Sequence, residues 1–260
     1  MAIDLFKIGP FVVHGYGLMI GLGFLAAIMV GCYRAKRRGL SDNDFINQAI
    51  CVLIFGFLGG KLLFLIVNFK DFIQTPMAYV KSEGFVVYGG VITGVISIYI
   101  YCRIKKLVFL DYIDLIAPSV AINQAFGRIG CFLAGCCYGR ETDSAIGVIF
   151  PEGCIAPAGV KLLPTQLFMA GGDLVLFAVL ILLAKKKPYP GMVSGMYLLL
   201  YSIGRFIIEY FRNDYQRGFV GILSTSQFIA IWISVFAILY LLLTRRSSKR
   251  KQQEQPAEAK

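Results

Sequence analysis

Apolar positions fall into seven runs, at about 11–33, 48–68, 85–102, 109–127, 162–184, 192–212 and 219–244, separated by polar connections. Most reach the roughly 20 residues that a helix needs to cross a ~30 Å hydrocarbon layer. The pattern predicts an all-α polytopic membrane protein with about seven transmembrane helices. The fourth run is the exceptional one, interrupted by Pro118 and begun beside Asp111 and Asp114. The first run follows Asp4 with Lys7 as its basic flank and is longer than a signal h-region, so it is expected to stay in the mature protein. Small residues four apart, as in Gly17/Gly21, Gly56/Gly60, Gly90/Gly94 and Gly191/Gly195, are expected to let helix backbones approach closely. Residues 1–244 read as a single integral membrane domain. Residues 245–260, polar and poor in hydrophobics, read as a disordered basic tail lying against anionic lipid heads.

Composition supports this reading. Residues of the set AVILMFWYC make up 57% of the chain and charged residues 16%, against roughly 25% charged in a soluble domain. The net charge of +11 admits nucleic acid, anionic lipid or membrane topology as its cause, and its placement decides. Arg34, Lys36, Arg37 and Arg38 follow the first run; Arg103, Lys105 and Lys106 follow the third; Lys185, Lys186 and Lys187 follow the fifth; and the tail is basic again. With seven spans all four clusters share one side, which the positive-inside rule makes the cytoplasm, with the N-terminus outside and the C-terminus cytoplasmic. Topology absorbs the charge, and no nucleic-acid partner is expected.

Several familiar motifs fail in context. Gly21-Leu-Gly23-Phe-Leu-Ala26 matches a dinucleotide fingerprint but lies inside an apolar helix. Gly59-Gly60-Lys61 lacks the upstream glycine and the Ser or Thr of a phosphate loop, which leaves Lys61 as an unexplained intramembrane charge. No G-x-S-x-G elbow occurs, and His14 is the single histidine, so a serine-triad hydrolase is not expected. The seven cysteines define no disulfide framework. The spacing of Cys131, Cys136 and Cys137 lacks the paired C-x-x-C geometry of structural zinc, so no metal is expected, and a pairing with Cys154 stays open.

A charge at membrane depth costs a few kcal/mol or more unless it is paired or faces a polar cavity, and so marks a site. Tyr201, Arg205 and Glu209 recur at i, i+4 and i+8 and share one helix face. An Arg–Glu pair that only joins helices is one explanation. Arg205 lies seven residues before the end of its run, roughly 10 Å below the surface at helical rise, a depth that suits a lipid phosphate. A second constellation, from Gly127-Arg128-Ile-Gly130-Cys131 to Gly135-Cys136-Cys137-Tyr138-Gly139-Arg140, combines glycines that permit tight turns with a guanidinium at the end of the fourth run.

Together these segments resemble the prolipoprotein diacylglyceryl transferase family over most of residues 10–245. The resemblance includes His14-Gly-Tyr16-Gly-Leu-Met, Gly59-Gly60-Lys61, Tyr88-Gly89-Gly90, Asp114-Leu-Ile-Ala-Pro118, Gly127 through Gly139, Pro164-Thr165-Gln166-Leu167 and Tyr201-x3-Arg205-x3-Glu209. It implies a bacterial inner-membrane enzyme that moves the diacylglyceryl group of phosphatidylglycerol onto the lipobox cysteine thiol of a prolipoprotein. The products are a thioether and glycerol 1-phosphate, and no metal or nucleotide cofactor is expected. By the same resemblance Arg128 and Arg205 stabilise the leaving phosphate, Glu209 orients Arg205, and Tyr88 is a geometric candidate for the proton acceptor. His14, Tyr16, Lys61, Cys131, Gly139, Gln166 and Tyr201 are expected around the substrate. The chain departs from the family where Tyr88 stands for His, Cys131 for Asn, Cys136 for an acid, and Phe168-Met169 for Tyr-Glu. The competing readings are a divergent paralogue and a non-catalytic transporter that binds anionic lipid.

Overall fold

The computed structural model describes residues 4–8, 11–82, 84–186, 189–213 and 218–258. It is built from nine helices and three small hairpins among those residues. The order is β1 (Asp4–Ile8), β2 (Phe11–His14), α1 (Gly15–Arg37), α2 (Asp42–Val67), α3 (Phe69–Gln74), α4 (Pro76–Lys81), α5 (Val87–Ile104) and α6 (Phe109–Ala134). Then come β3 (Val148–Ile149), β4 (Lys161–Leu162), α7 (Thr165–Lys185), α8 (Met192–Ile208), a 3-10 turn (Glu209–Phe211), β5 (Phe219–Val220), β6 (Leu223–Ser224) and α9 (Thr225–Glu258). Each hairpin is antiparallel: β1 with β2, β3 with β4, and β5 with β6.

Six helices, α1, α2, α5, α7, α9 and α8 with its 3-10 turn, are long and apolar enough to cross a membrane, and the protein is a multi-pass membrane protein. The fourth predicted run does form a helix, α6, but with its acids and Arg128 it is not among these six. The first run begins as strand and turns helical only at Gly15, while the last passes through a hairpin before α9. Backbone continues as helix to Glu258, because Arg, Lys, Gln and Glu are good helix formers and extending an existing helix avoids the nucleation penalty.

Contacts group the chain into two compact units: residues 1–30 with 113–260, and residues 31–112. In the smaller unit α2 packs along α5 through glycines. A Cβ on Gly89 would collide with the Gly59 carbonyl, and one on Gly90 would lie 2.8 Å from the Gly56 carbonyl. Thr93 Oγ1 donates across this contact to Phe55 O at 2.7 Å. Ser41 caps α2 by accepting from Asp44 N, and Asp42 and Asp44 place negative charge at the positive end of the helix dipole.

The larger unit is apolar outward and polar inward, as a lipid solvent requires. Phe236 and Trp232 on α9 are well exposed, whereas Asp114, Gln166, Ser202 and Glu209 are buried. Ala117, Ala121, Leu176, Leu180 and Val193 form the junction of α6, α7 and α8. Asp114 of α6 explains how that helix tolerates its acids. Its carboxylate accepts from Gly191 N and Ser194 N at 2.8 Å each and from Ser194 Oγ at 2.7 Å, capping the N-terminus of α8.

Candidate functional site

The larger unit holds a cavity of about 250 Å³ between α7 and α8, lined by Phe168, Met169, Gly172, Asp173, Leu176, Leu200, Tyr201, Gly204, Arg205, Ile207 and Ile208. Its wall is apolar except for Asp173, Tyr201 and Arg205, the composition of a site for a molecule with a hydrocarbon body and a charged head. Tyr201 and Arg205 share this wall, as their four-residue spacing predicts, and Tyr201 stacks on Tyr197 with ring centroids 5.7 Å apart.

Arg205 is held from one edge. Its Nη2 lies 3.1 Å from Glu209 Oε2 and donates to Ser226 Oγ of α9 at 2.9 Å. Its Nη1 is buried without a hydrogen-bond partner among the described residues. Glu209, 2% exposed, begins the 3-10 turn that ends α8, and Arg212 approaches the same carboxylate oxygen at 3.9 Å. Arg128 and Arg212 both lie within electrostatic range of Arg205. Three guanidinium groups gathered in a low-dielectric region repel one another, an arrangement that an anion relieves.

Arg128, on the last turns of α6, lies within electrostatic range of Tyr201, Cys131, Cys137 and Asp173. Gly130, two residues on, is where α1 crosses α6: an added Cβ would lie 3.2 Å from Met19 Cβ and from Tyr16 Cδ2. That close approach sets Tyr16, a half-exposed ring, beside the same stretch of α6. Past Ala134 the chain reverses through Gly135 (φ +68°) and Cys137 (φ +59°), with Cys136 N bonded to Cys131 O at 3.1 Å.

Two side chains from the start of α7 clamp this reversal. Thr165 Oγ1 donates to Cys137 O at 3.0 Å, and Gln166 Nε2 to Cys136 O at 2.7 Å. Gln166, expected to line the substrate cavity, is fully buried and spends its amide nitrogen on the loop. Gly139 is a backbone crossing: its N donates to Leu163 O at 2.9 Å, and a Cβ would lie 2.8 Å from that oxygen and 2.7 Å from Thr165 Cγ2. The sulfurs of Cys131, Cys136 and Cys137 all lie within 4.8 Å of one another. Thiol hydrogen bonds from Cys131 and Cys136, with the charges of Arg212 and Arg128, hold the Cys137 thiol well below the usual range, while hydrogen bonding with Cys131 and Cys137 together with burial pushes Cys136 up.

Lys61 and Tyr88 belong to the smaller unit. Lys61 Nζ donates to the carbonyls of Tyr79 (3.0 Å) and Ser82 and lies over the Phe64 ring, so the intramembrane charge secures the α3–α4 segment. Tyr88 is half-exposed in the first turn of α5, and His14 is exposed at the end of β2. Asp173, Arg212 and Ser226 were not singled out by sequence. Asp173 carried a readable signal, a lone acid in the apolar run 162–184, and its Oδ2 is buried without a partner among the described residues.

The chain is 43% identical over 242 residues to a phosphatidylglycerol–prolipoprotein diacylglyceryl transferase of Clostridium tetani, covering 93% of this chain and 97% of the relative. It is 42% identical over 256 residues to a second enzyme of that name from Clostridium perfringens, covering 98% and 100%. A Dehalococcoides mccartyi relative of the same name is 31% identical, with 94% of each chain covered. The family described as prolipoprotein diacylglyceryl transferase matches residues 4–243, and the chain belongs to it.

Proposed function

We propose that the protein transfers the diacylglyceryl group of phosphatidylglycerol to the lipobox cysteine thiol of prolipoproteins, in the bacterial cytoplasmic membrane, releasing glycerol 1-phosphate. The observation that carries this is the state of Arg205. Glu209 and Ser226 fix one edge of its guanidinium, and the other edge, Nη1, is a buried donor without a hydrogen-bond partner among the described residues, on the wall of an apolar cavity. A buried donor left unsatisfied costs about 1–3 kcal/mol, a penalty that a phosphate oxygen removes. Acyl chains suit Phe168, Met169, Leu176 and Leu200 of that wall.

In the reaction the thiol sulfur bonds to a glycerol carbon while that carbon's bond to the phosphate oxygen breaks, and the thiol proton passes to water or to the departing phosphate. Negative charge grows on the leaving phosphomonoester, where Arg205 and Arg128 stabilise it by fixed, charge-assisted hydrogen bonds. Glu209 holds Arg205 in register, and Tyr16 and Tyr201 border the head group. The test is purified protein in phosphatidylglycerol liposomes with a lipobox peptide, following glycerol phosphate release and peptide mass. Diacylglyceryl mass gain that depends on the peptide thiol is the expected result. Lipid binding without release would replace the transferase with a head-group binder.

The same reading extends to topology. We infer seven spans with α6 as the fourth, the N-terminus outside and the C-terminus cytoplasmic. The cap that Asp114 provides to α8 supports this, since it removes that charge from lipid.

A further inference from the structure

One buried charge in the cavity has no task in the mechanism above. Asp173 is the lone acid of α7 and is 6% exposed. It follows Met169 by four residues and precedes Leu176 by three, so the three share a helix face, and all of them line the cavity. Tyr201, Arg205 and Ile208 of α8 line the same cavity at the same spacings.

Stability does not account for this carboxylate. Its Oδ2 is buried without a hydrogen-bond partner among the described residues, a cost that an apolar side chain avoids. Lipid binding does not account for it either, since a negative charge in the cavity opposes an anionic head group. Arg128 and Arg205 lie within its electrostatic range and make the charge tolerable at this depth, and the Tyr197 and Tyr201 hydroxyls are the other titratable groups of α8 on this side. An ionised carboxylate only accepts, and the proton that has to leave during the reaction is the thiol's. The way to it is open. Gly172 adjoins Asp173 and Gly204 adjoins Arg205; both line the cavity, and a Cβ added at either would meet nothing within 4 Å.

We propose that Asp173 is the general base of the transfer, its Oδ2 taking the proton of the lipobox thiol as the sulfur attacks the glycerol carbon. This rests on the transferase reading. Moving the proton shifts one negative charge from oxygen to sulfur and creates none, so the apolar cavity buries no additional charge. The sulfur bonds the glycerol carbon, the carbon–oxygen bond breaks, and the electron pair leaves on the phosphate oxygen beside Arg205. Asp173 then passes its proton to water or to that phosphate, which restores the carboxylate. A general base acts within hydrogen-bond reach of its proton, directly or through one water, and a cavity of about 250 Å³ shared by head group and thiol holds sulfur and carboxylate that close.

The test uses purified protein in phosphatidylglycerol liposomes with two lipobox peptides, one carrying cysteine and the other selenocysteine. With the cysteine peptide, Asp173→Asn is expected to lower kcat about 10²–10⁴-fold, the usual contribution of a general base, while KM for phosphatidylglycerol falls as well. A selenol is ionised at neutral pH and needs no base, so the same variant should lose at most about tenfold with the selenocysteine peptide. Asp173→Glu keeps the carboxylate and should retain at least about ten times the cysteine activity of Asp173→Asn. Thermal unfolding in detergent separates lost chemistry from lost fold. Where Asp173→Asn does not fold, Asp173→Glu carries the comparison, and its ratio of cysteine to selenocysteine rates should drop below that of the parent. Equal losses with both peptides, or an unchanged kcat in Asp173→Asn, overturn the base alone. A parent protein that modifies neither peptide overturns the transferase reading and the base with it.

Discussion

Arg205 and Glu209 show how one carboxylate organises a buried cation. Glu209 is 2% exposed and carries both Arg205 and Arg212 on one oxygen, so removing its charge takes a counter-charge from both guanidinium groups. Glu209→Gln is expected to destabilise the protein by about 3–5 kcal/mol, the usual cost of breaking a buried pair, read as a lower Tm in detergent, with transfer lost as well. Arg205→Lys separates charge from shape: the ammonium keeps the ion pair but lacks the planar fork, so the fold should hold while kcat falls about 10²–10³-fold. Unchanged turnover would remove Arg205 from the reaction. Asp173 has the opposite character. Its Oδ2 makes no hydrogen bond among the described residues, and its charge stands in the cavity where an anionic head group is proposed. Asp173→Asn should leave Tm unchanged or raised and lower KM for phosphatidylglycerol severalfold, since a like charge is removed. The spacing of Tyr201, Arg205 and Glu209 made their shared face legible from sequence, because helical period alone sets it. The partners Ser226 and Arg212 were not legible, since the 3-10 turn and the start of α9 bring them in.

At the scale of elements, apolar runs identified the helix centres and missed the ends, because ends are set by capping groups distant in sequence. The start of α8 is the clearest instance: it depends on Gly191 at φ +88° and on a carboxylate 77 residues earlier. Asp114→Ala deletes three accepted hydrogen bonds from buried donors and is expected to cost about 1–3 kcal/mol or more, with Asp114→Asn intermediate because it keeps one acceptor oxygen. Thermal unfolding of both variants checks the order. A variant as stable as the parent would show that α8 is held by packing alone. Lys61 teaches the same lesson in reverse. Sequence marks it as a charge out of place, yet its ligands are carbonyls in the α3–α4 segment that no apolar pattern announces, so a substrate role and a structural one look alike until the fold supplies the partners.

For the whole molecule, the issue that follows from α6 is parity. With α6 as a span, the basic clusters after α1, α5 and α7 and the basic end of α9 all fall on one side; with only the other six helices spanning, the cluster after α7 moves to the side opposite those after α1 and α5. The positive-inside rule acts on each short loop, so the seven-span arrangement satisfies four clusters and the six-span one sets them against each other. Length permits the crossing: 26 helical residues extend about 39 Å at about 1.5 Å each. Charge permits it as well, because Asp114 is consumed as the α8 cap. Reporter fusions after Lys105 and after Lys186 decide the matter. Both should be active on the cytoplasmic side, as should one after Thr244. Opposite locations for the first two would make α6 a non-spanning helix and turn the N-terminus and C-terminus to the same face. Arg128, near the end of α6 remote from the Lys105 loop, would then lie on the cytoplasmic side, the face opposite to the one the seven-span arrangement gives it.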